Sequence, residues 1–310
     1  MTTRQWTDRP ERGSKWLLWL MFRIAMAAGR PVARVLLWPI TVFFWLRTPG
    51  ARADSVRYLR RLWGREPQRW SSLKHYHAFS STILDRVFFL GGRLESFDIR
   101  IQGEVHLAGA ISQHQGVFLV GAHLGSFEAL RTIGRRQPGL RITMAMFEDN
   151  ARMIGRFARA IDPSLELDVV ALGRVDSMLQ IQARLERGDF VGFLADRSFG
   201  DDATISAPFL GEPAPFPTGI FRMAAVMRRP VMMMAGLYRG GNRYDLFIEP
   251  LADFSQADRA SRNAMIESAV TRFAQRLEHY CRLAPFNWFN FYDFWRPAET
   301  RKKSSDAGAT

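Results

Sequence analysis

From residue 97 onward, short apolar runs alternate with segments of helical spacing. The apolar runs predict strands at 97–107, 117–120, 142–146, 167–171, 190–194, 231–237 and 244–248. Apolar side chains three or four residues apart predict helices at 51–64, 70–90, 148–161, 175–187, 218–227 and 259–283. Because strands and helices alternate, we expect an α/β fold with a mixed, largely parallel sheet flanked by helices.

Two apolar runs precede this region, at 16–28 and 35–46. Each is shorter than the ~20 residues that a helix needs to cross a bilayer, and Arg23 interrupts the first run. Four tryptophans in the two runs are typical of a membrane–water interface, namely Trp16, Trp19, Trp38 and Trp45. We favour helices that lie in the interface, as a peripheral or monotopic anchor, over a tilted span or a re-entrant hairpin. Arg23 also argues against a cleaved signal peptide.

These patterns divide the chain into three parts. Residues 1–64 form a basic, apolar, membrane-associating helical region, and residues 65–297 form the main α/β domain. Residues 298–310 are small and charged, which predicts a disordered tail.

Composition and charge narrow the function classes. The net charge is +13, and residues 1–70 hold 14 of the 43 basic residues but only 4 of the 30 acidic ones. Basic residues interleaved with apolar runs favour a lipid surface over a nucleic acid. The single cysteine, Cys281, excludes an intramolecular disulfide and suits a reducing compartment. His75 and His77 form the one close histidine pair, which we expect at the surface, and we expect neither a metal nor a cofactor.

The most informative stretch is 117–130, where an apolar strand is followed by Gly121, His123 and Glu128. Five residues on a helix subtend about 500°, so His123 and Glu128 should not share one straight helix. We expect a turn at 121–125 and a helix that Ser126 caps. Glu128 can then fold back to accept a hydrogen bond from His123 Nδ1, which leaves Nε2 as a general base. The H-x4-E pattern is short, however, and an ordinary loop histidine with a first-turn acid fits it as well.

Four blocks in order resemble the lysophospholipid acyltransferase superfamily, and within it the bacterial late acyltransferases of lipid A biosynthesis. The first block holds His123 and Glu128 in the H-x4-(D/E) signature, and the second, 190–197, is a strand that ends in Asp196 and Arg197. The third, 207–224, resembles a segment ending in P-T-G, and the fourth, 285–295, is aromatic. Together the blocks span about residues 100 to 297.

Two departures concern the acceptor. The lipid A enzymes commonly carry a Tyr-Arg-Pro element after the first block, whereas residues 144–150 here read Met-Ala-Met-Phe-Glu-Asp-Asn. Asp196-Arg197 also replaces the Asp-Gln pair that is common in that branch. The resemblance therefore implies the chemistry more firmly than the acceptor.

The remaining polar residues of the blocks have two interpretations each. Arg197 can bind a phosphate of the donor or acceptor while Asp196 organises the loop, or the two can form an internal ion pair. Thr218 and Gly219 can begin a helix whose free N–H groups bind an anion or oxyanion, with Arg222 one turn further on. A purely structural cap at Thr218 fits equally well. Phe and Leu side chains of 70–90 either line an acyl channel or belong to the core.

The resemblance implies a membrane-associated O-acyltransferase of a Gram-negative bacterium, at the cytoplasmic face of the inner membrane. His123 would activate the acceptor hydroxyl, Glu128 would orient His123, and Asp196, Arg197, Thr218, Gly219 and Arg222 would bind substrate. The donor would be an acyl carrier protein or coenzyme A thioester, and the acceptor a lipid A-like lipid or another glycolipid or phospholipid. The alternatives are an inactive membrane-surface binding protein of the same fold and an acyl hydrolase.

Overall fold

A computed structural model describes residues 15–136, 139–161, 167–174, 176–197 and 202–295. Its helices are α1 (Lys15–Arg47), α2 (Pro49–Trp63), α3 (Ser71–Leu90), α4 (Glu104–Ser112), α5 (Phe127–Arg136), α6 (Glu148–Ile161), α7 (Ser177–Glu186), α8 (Gly219–Val226) and α9 (Arg262–Leu283). Its strands are β1 (Asp98–Gln102), β2 (Val117–Gly121), β3 (Ile142–Phe147), β4 (Val169–Leu172), β5 (Phe190–Leu194), β6 (Thr204–Phe209), β7 (Glu212–Pro217), β8 (Pro230–Tyr238) and β9 (Arg243–Asp253).

Seven strands form one mixed sheet in the order β1-β9-β8-β2-β5-β3-β4, which confirms the predicted α/β fold. The five strands from β8 to β4 run parallel, and β9 joins them antiparallel to β8. Gly121 at the end of β2 lies opposite Leu194 at the end of β5. Loops that follow β2 and β5 therefore leave the sheet side by side, where parallel sheets commonly place their sites.

The side chains of β2 divide the core into two layers. Phe118 and Val120 belong to the layer that α9 covers, and Val117 and Leu119 belong to the layer beneath α3 and α5. All four are fully buried, as expected for a parallel strand covered on both faces. This rigid central strand leads directly into the loop that carries His123.

Two elements differ from the prediction. The strand predicted at 97–107 ends at Gln102, because Gly103 adopts a φ of +88° against the Ile248 carbonyl and α4 follows. The hairpin of β6 and β7 was not predicted at all. Its two strands contain four prolines, which is tolerated because a two-stranded sheet leaves many N–H positions outside the ladder.

The N-terminal helix α1 contains a break at Gly29, where φ is +79°. The half that follows is fixed to the domain, since Arg30 forms a two-point contact with the Asp85 carboxylate at 2.7 and 2.9 Å. Arg34 also donates to the Tyr238 hydroxyl at 2.9 Å. Within the described residues, no helix has both the length and the hydropathy to cross a membrane.

Helix α2 packs into the main core through Tyr58, Leu59 and Leu62. The division of the chain at residue 64 stays a prediction, and the predicted tail at 298–310 lies outside the described residues.

Candidate active site

The loops after β2 and β5 bring His123 and Asp196 together. Each residue follows the end of its strand by two positions, and the two strand ends are paired. His123 Nδ1 lies 2.9 Å from Asp196 Oδ1, and the His123 backbone N–H donates to Asp196 Oδ2 at 3.1 Å. The histidine is thus held by one carboxylate at both its ring and its backbone. Its side chain keeps 28% of its surface exposed, so a substrate can reach it.

The expected contact between His123 Nδ1 and Glu128 is wrong. Glu128 lies in the first turn of α5, five residues beyond His123, and its carboxylate forms an ion pair with Arg86 of α3, at 2.8 Å between Oε1 and Nε. Glu128 is buried, so the Arg86 charge compensates it where water cannot. The carboxylate that orients His123 comes from a different strand, 73 residues further along the chain.

The turn between His123 and α5 depends on a close backbone approach. Gly125 has a φ of +66°, and a Cβ at this position would lie 1.9 Å from the Gly236 carbonyl oxygen. Ser126 accepts a hydrogen bond at Oγ from the Ala129 N–H at 3.2 Å, which confirms its predicted role as the helix cap.

Three consecutive residues of the C-terminal aromatic segment hold this turn. The Asn287 carbonyl accepts from the Gly125 N–H at 2.8 Å, and the Phe289 N–H donates to the His123 carbonyl at 2.8 Å. Between them, Trp288 Nε1 donates to Asp196 Oδ2 at 3.1 Å. The segment 287–289 therefore holds both His123 and Asp196 in place.

A second histidine, His75, contacts the backbone of Trp288. His75 Nε2 lies 2.9 Å from the Trp288 carbonyl oxygen, and Nδ1 lies 2.9 Å from Ser55 Oγ. Because a carbonyl only accepts, Nε2 carries the proton and Nδ1 accepts from the serine hydroxyl. Burial lowers the pKa of His75 to about 4, so the ring is neutral at physiological pH. The expected surface placement is wrong for His75, which is fully buried because Trp288 and the aromatic segment cover it.

Electrostatics favour a neutral His123 beside an ionised Asp196. Burial and then the charge of Arg197 lower the pKa of His123 below 6.5, although Asp196 opposes this shift. Burial alone would raise the pKa of Asp196, but the charge and hydrogen bond of His123, with Arg197 and Trp288, lower it to about 2. Near neutral pH the carboxylate accepts from Nδ1–H, and Nε2 of His123 keeps its lone pair.

The other predicted site residues divide into two groups. Arg197 lies in the His123 site, where its Nη2 donates to the Phe289 carbonyl at 2.9 Å and its guanidinium lies 5.4 Å from the Tyr292 ring centre. Thr218 is buried, and its hydroxyl donates to the Ala203 carbonyl at 3.0 Å. Thr218 stands at the N-cap position of α8, but its hydroxyl oxygen accepts no hydrogen bond from the first turn, so the expectation that this side chain caps the helix is wrong.

Gly219 and Arg222 lie on α8, next to Thr218. A Cβ on Gly219 would lie 3.7 Å from Asp202 Oδ1, so a carboxylate already borders the start of this helix. Arg222 lies one turn further on and is exposed. An anion site at this helix start remains a prediction.

The sequence assigned no role to Arg86, Trp288 or His75. Trp288 lies in the aromatic block 285–295, but its contact with Asp196 depends on how the C-terminal segment crosses the sheet edge. Arg86 and His75 both lie on α3, eleven residues apart, and only the packing of α3 beside α5 and the aromatic segment reveals their partners. No local spacing could have found these contacts.

A family model described as bacterial lipid A biosynthesis acyltransferase matches residues 84–297. The chain belongs to this family. The match covers well over half of the chain and includes His123, Glu128, Asp196 and the aromatic segment. Membership in the lipid A acyltransferase family suggests acyl transfer to a lipid acceptor. A search of curated proteins gives no match.

Proposed function

We propose that this lipid A acyltransferase family member moves a fatty acyl chain from a thioester donor to a lipid hydroxyl, with His123 as general base. The observation that carries the proposal is the 2.9 Å contact between His123 Nδ1 and Asp196. A carboxylate at Nδ1 fixes the tautomer in which Nε2 accepts a proton, and it stabilises the imidazolium that forms. Asp196 thus takes the orienting role that the sequence suggested for Glu128.

The reaction needs one proton shuttle and no acyl-enzyme. His123 Nε2 accepts the proton of the acceptor hydroxyl while the hydroxyl oxygen attacks the thioester carbonyl carbon. The tetrahedral intermediate collapses with cleavage of the C–S bond, and the imidazolium returns the proton to the departing sulfur. The products are a lipid ester and a free thiol.

Two arginines can stabilise the oxyanion of the intermediate. The positive charges of Arg197 and Arg86 both lower the pKa of His123, and we propose that the same charges stabilise the oxyanion. Glu128 keeps Arg86 in place through its ion pair, and we propose this as its catalytic contribution. Removal of a single oxyanion donor typically costs ~10²–10³ in rate, which sets the scale expected for Arg197.

Exposed apolar side chains on α1 support attachment to a membrane surface. Val35 is 70% exposed, Phe43 51% and Leu46 59%, whereas Ala33 and Leu37 are buried on the opposite side of the helix. At 100° per residue the three exposed side chains fall within one stripe about 80° wide. A soluble monomer rarely exposes such a stripe, and an interfacial helix buries it in lipid. We propose a peripheral or monotopic attachment at the cytoplasmic face of the inner membrane, through the region 1–64.

The donor and acceptor classes follow from the family and the charge of the chain. We propose an acyl carrier protein or coenzyme A thioester as donor, and a lipid A-like lipid or another glycolipid or phospholipid as acceptor. Both donors are acidic, which suits a chain with a net charge of +13.

Incubation of purified protein with bacterial membrane lipids and labelled acyl donor tests this function. Acyl carrier protein and coenzyme A thioesters are supplied in separate reactions, and mass spectrometry identifies each acylated lipid. The proposal requires a lipid that gains one acyl chain. Release of free fatty acid without a lipid product would identify a hydrolase, and failure to consume any donor would identify an inactive binding protein.

A further inference from the structure

A basic groove lies at the end of α1, away from the active site. It has a volume of about 540 Å³, and its lining includes Trp45, Arg52, Arg57, Arg60, Arg69 and Ser72. These residues come from α1, α2, the loop after α2 and the start of α3. The four arginines give the groove a positive charge that none of the steps of acyl transfer uses.

Two of the four arginines have carboxylate partners. Arg57 contacts both Asp54 and Asp293, and Arg60 contacts Glu66. Arg52 and Arg69 instead stack on tryptophans, at 4.7 Å from the Trp45 ring centre and 5.1 Å from the Trp70 ring centre. In the part of the chain that the structure describes, neither of these two guanidinium groups contacts a carboxylate. Stacking orients their N–H edges without neutralising their charge.

The groove adjoins exposed apolar surface of α1. Trp45 lines the groove, and Trp38, which lies seven residues earlier and about 20° away around the helix, is 48% exposed. Ser72 also lines the groove, one turn before His75 on α3, and the fully buried His75 and Trp288 separate this end of the helix from Asp196. A ligand in the groove therefore does not occupy the reaction centre.

We propose that this groove binds the phosphate headgroup of an anionic phospholipid when the α1 stripe enters the bilayer. The inference rests on the proposed membrane attachment and adds a lipid preference to it. Arginine recognises phosphate with two parallel N–H donors, and Arg52 and Arg69 supply such donors beside an apolar surface. An acidic protein partner would match the charge but not the exposed apolar side chains that adjoin it.

Vesicle flotation with the full chain tests the headgroup site. Phosphatidylcholine vesicles with and without phosphatidylglycerol are compared for the parent and for the Arg52→Gln, Arg69→Gln double variant. At ~1 kcal/mol per arginine near a charged membrane, the variant should lose about 30-fold in affinity for the anionic vesicles. Its affinity for pure phosphatidylcholine should stay unchanged. The matched control, Arg259→Gln with Arg272→Gln, removes two exposed charges elsewhere and should keep most of the anionic preference.

Three results would overturn the headgroup site. Equal affinity of parent and Arg52→Gln, Arg69→Gln for anionic vesicles would do so, as would an equally large loss in the control. Intact vesicle binding with slower transfer from the acyl carrier protein would make the groove a protein-docking site instead. Acyl transfer measured in detergent separates this inference from the proposed function, because the groove variant should keep the parent rate there.

Discussion

Replacement of Asp196 by asparagine should damage catalysis far more than its small change in shape suggests. The carboxylate accepts two hydrogen bonds at Oδ2, from the His123 backbone and Trp288 Nε1, each at 3.1 Å, and one at Oδ1, from His123 Nδ1 at 2.9 Å. An asparagine carbonyl can serve one of these positions only. Placed at Oδ2 it satisfies two donors, so the amide NH₂ turns toward His123 Nδ1.

This orientation selects the wrong tautomer of His123. When the amide donates to Nδ1, the imidazole proton moves to Nε2, which can no longer accept a proton from the acceptor hydroxyl. The opposite orientation points NH₂ at two N–H donors, and each buried polar group left without a partner costs ~1–3 kcal/mol. In hydrolases that use a serine–histidine–aspartate triad, the equivalent change lowers kcat roughly 10⁴-fold, so we expect a loss of about 10³–10⁴-fold.

The assay measures acyl transfer to lipid for Asp196→Asn and, as its counterpart, for Glu128→Gln. Glu128→Gln removes the charge that holds Arg86 but leaves the tautomer of His123 intact, so its loss should be clearly smaller. Circular dichroism and the unfolding midpoint confirm that both variants fold. A kcat for Asp196→Asn within about threefold of the parent would refute the tautomer argument. A threefold change in rate corresponds to less than ~1 kcal/mol of activation free energy, far below the effect of losing the proton acceptor. A larger loss for Glu128→Gln would show that the ion pair with Arg86 contributes more to catalysis than the tautomer of His123 does.

Three further predictions concern the same site. As pH rises, kcat/KM should increase with a midpoint below 6.5, because His123 must be neutral and burial lowers its pKa. Arg197→Gln should move this midpoint upward by removing a neighbouring positive charge. A midpoint that does not move would show that Arg197 has no electrostatic effect on His123. His75 should contribute ~3 kcal/mol to the unfolding free energy that the parent loses as pH falls from 6.5 toward 4, because the unfolded chain protonates this histidine before the folded protein can. Chemical denaturation of His75→Gln should therefore show a loss smaller by about this amount, and equal losses in both proteins would contradict the neutral buried ring. Gly125→Ala should lower both the unfolding midpoint and the activity, because the new Cβ clashes with the Gly236 carbonyl. The control Gly64→Ala has a similar φ of +63° but open space around it, so it should lose only the ~1 kcal/mol of unfolding free energy that a left-handed alanine backbone costs. A similar loss of unfolding free energy in both variants would contradict the clash.

Periodicity along the chain predicted most of the strands and helices, because apolar side chains in a two-layered core leave a clear pattern. It was wrong where one glycine decided the outcome. At Gly103 the backbone passes so close to Ile248 that the strand ends and α4 begins. It also missed the β6–β7 hairpin, since a segment with four prolines does not resemble a strand.

The candidate site was half predictable from the sequence. His123 and Asp196 were both recognised as strand-end residues, and Ser126 was recognised as a cap. Which carboxylate meets the histidine depends on the register between β2 and β5, and register is a long-range property. The support of Asp196 by Trp288, and of Trp288 by His75, depends on the path of the C-terminal segment, which no local pattern encodes.

Acceptor-dependent thiol release measures the central claim most directly. The parent and His123→Ala are each incubated with acyl donor, with and without membrane lipid, while free thiol and acylated lipid are quantified together. We predict that the parent releases thiol only when lipid is present, in equal amount to the ester formed, and that His123→Ala loses at least the ~10²-fold typical of a missing general base. Lipid ester formed by His123→Ala at the parent rate, or thiol released without lipid, would contradict acyl transfer by this histidine.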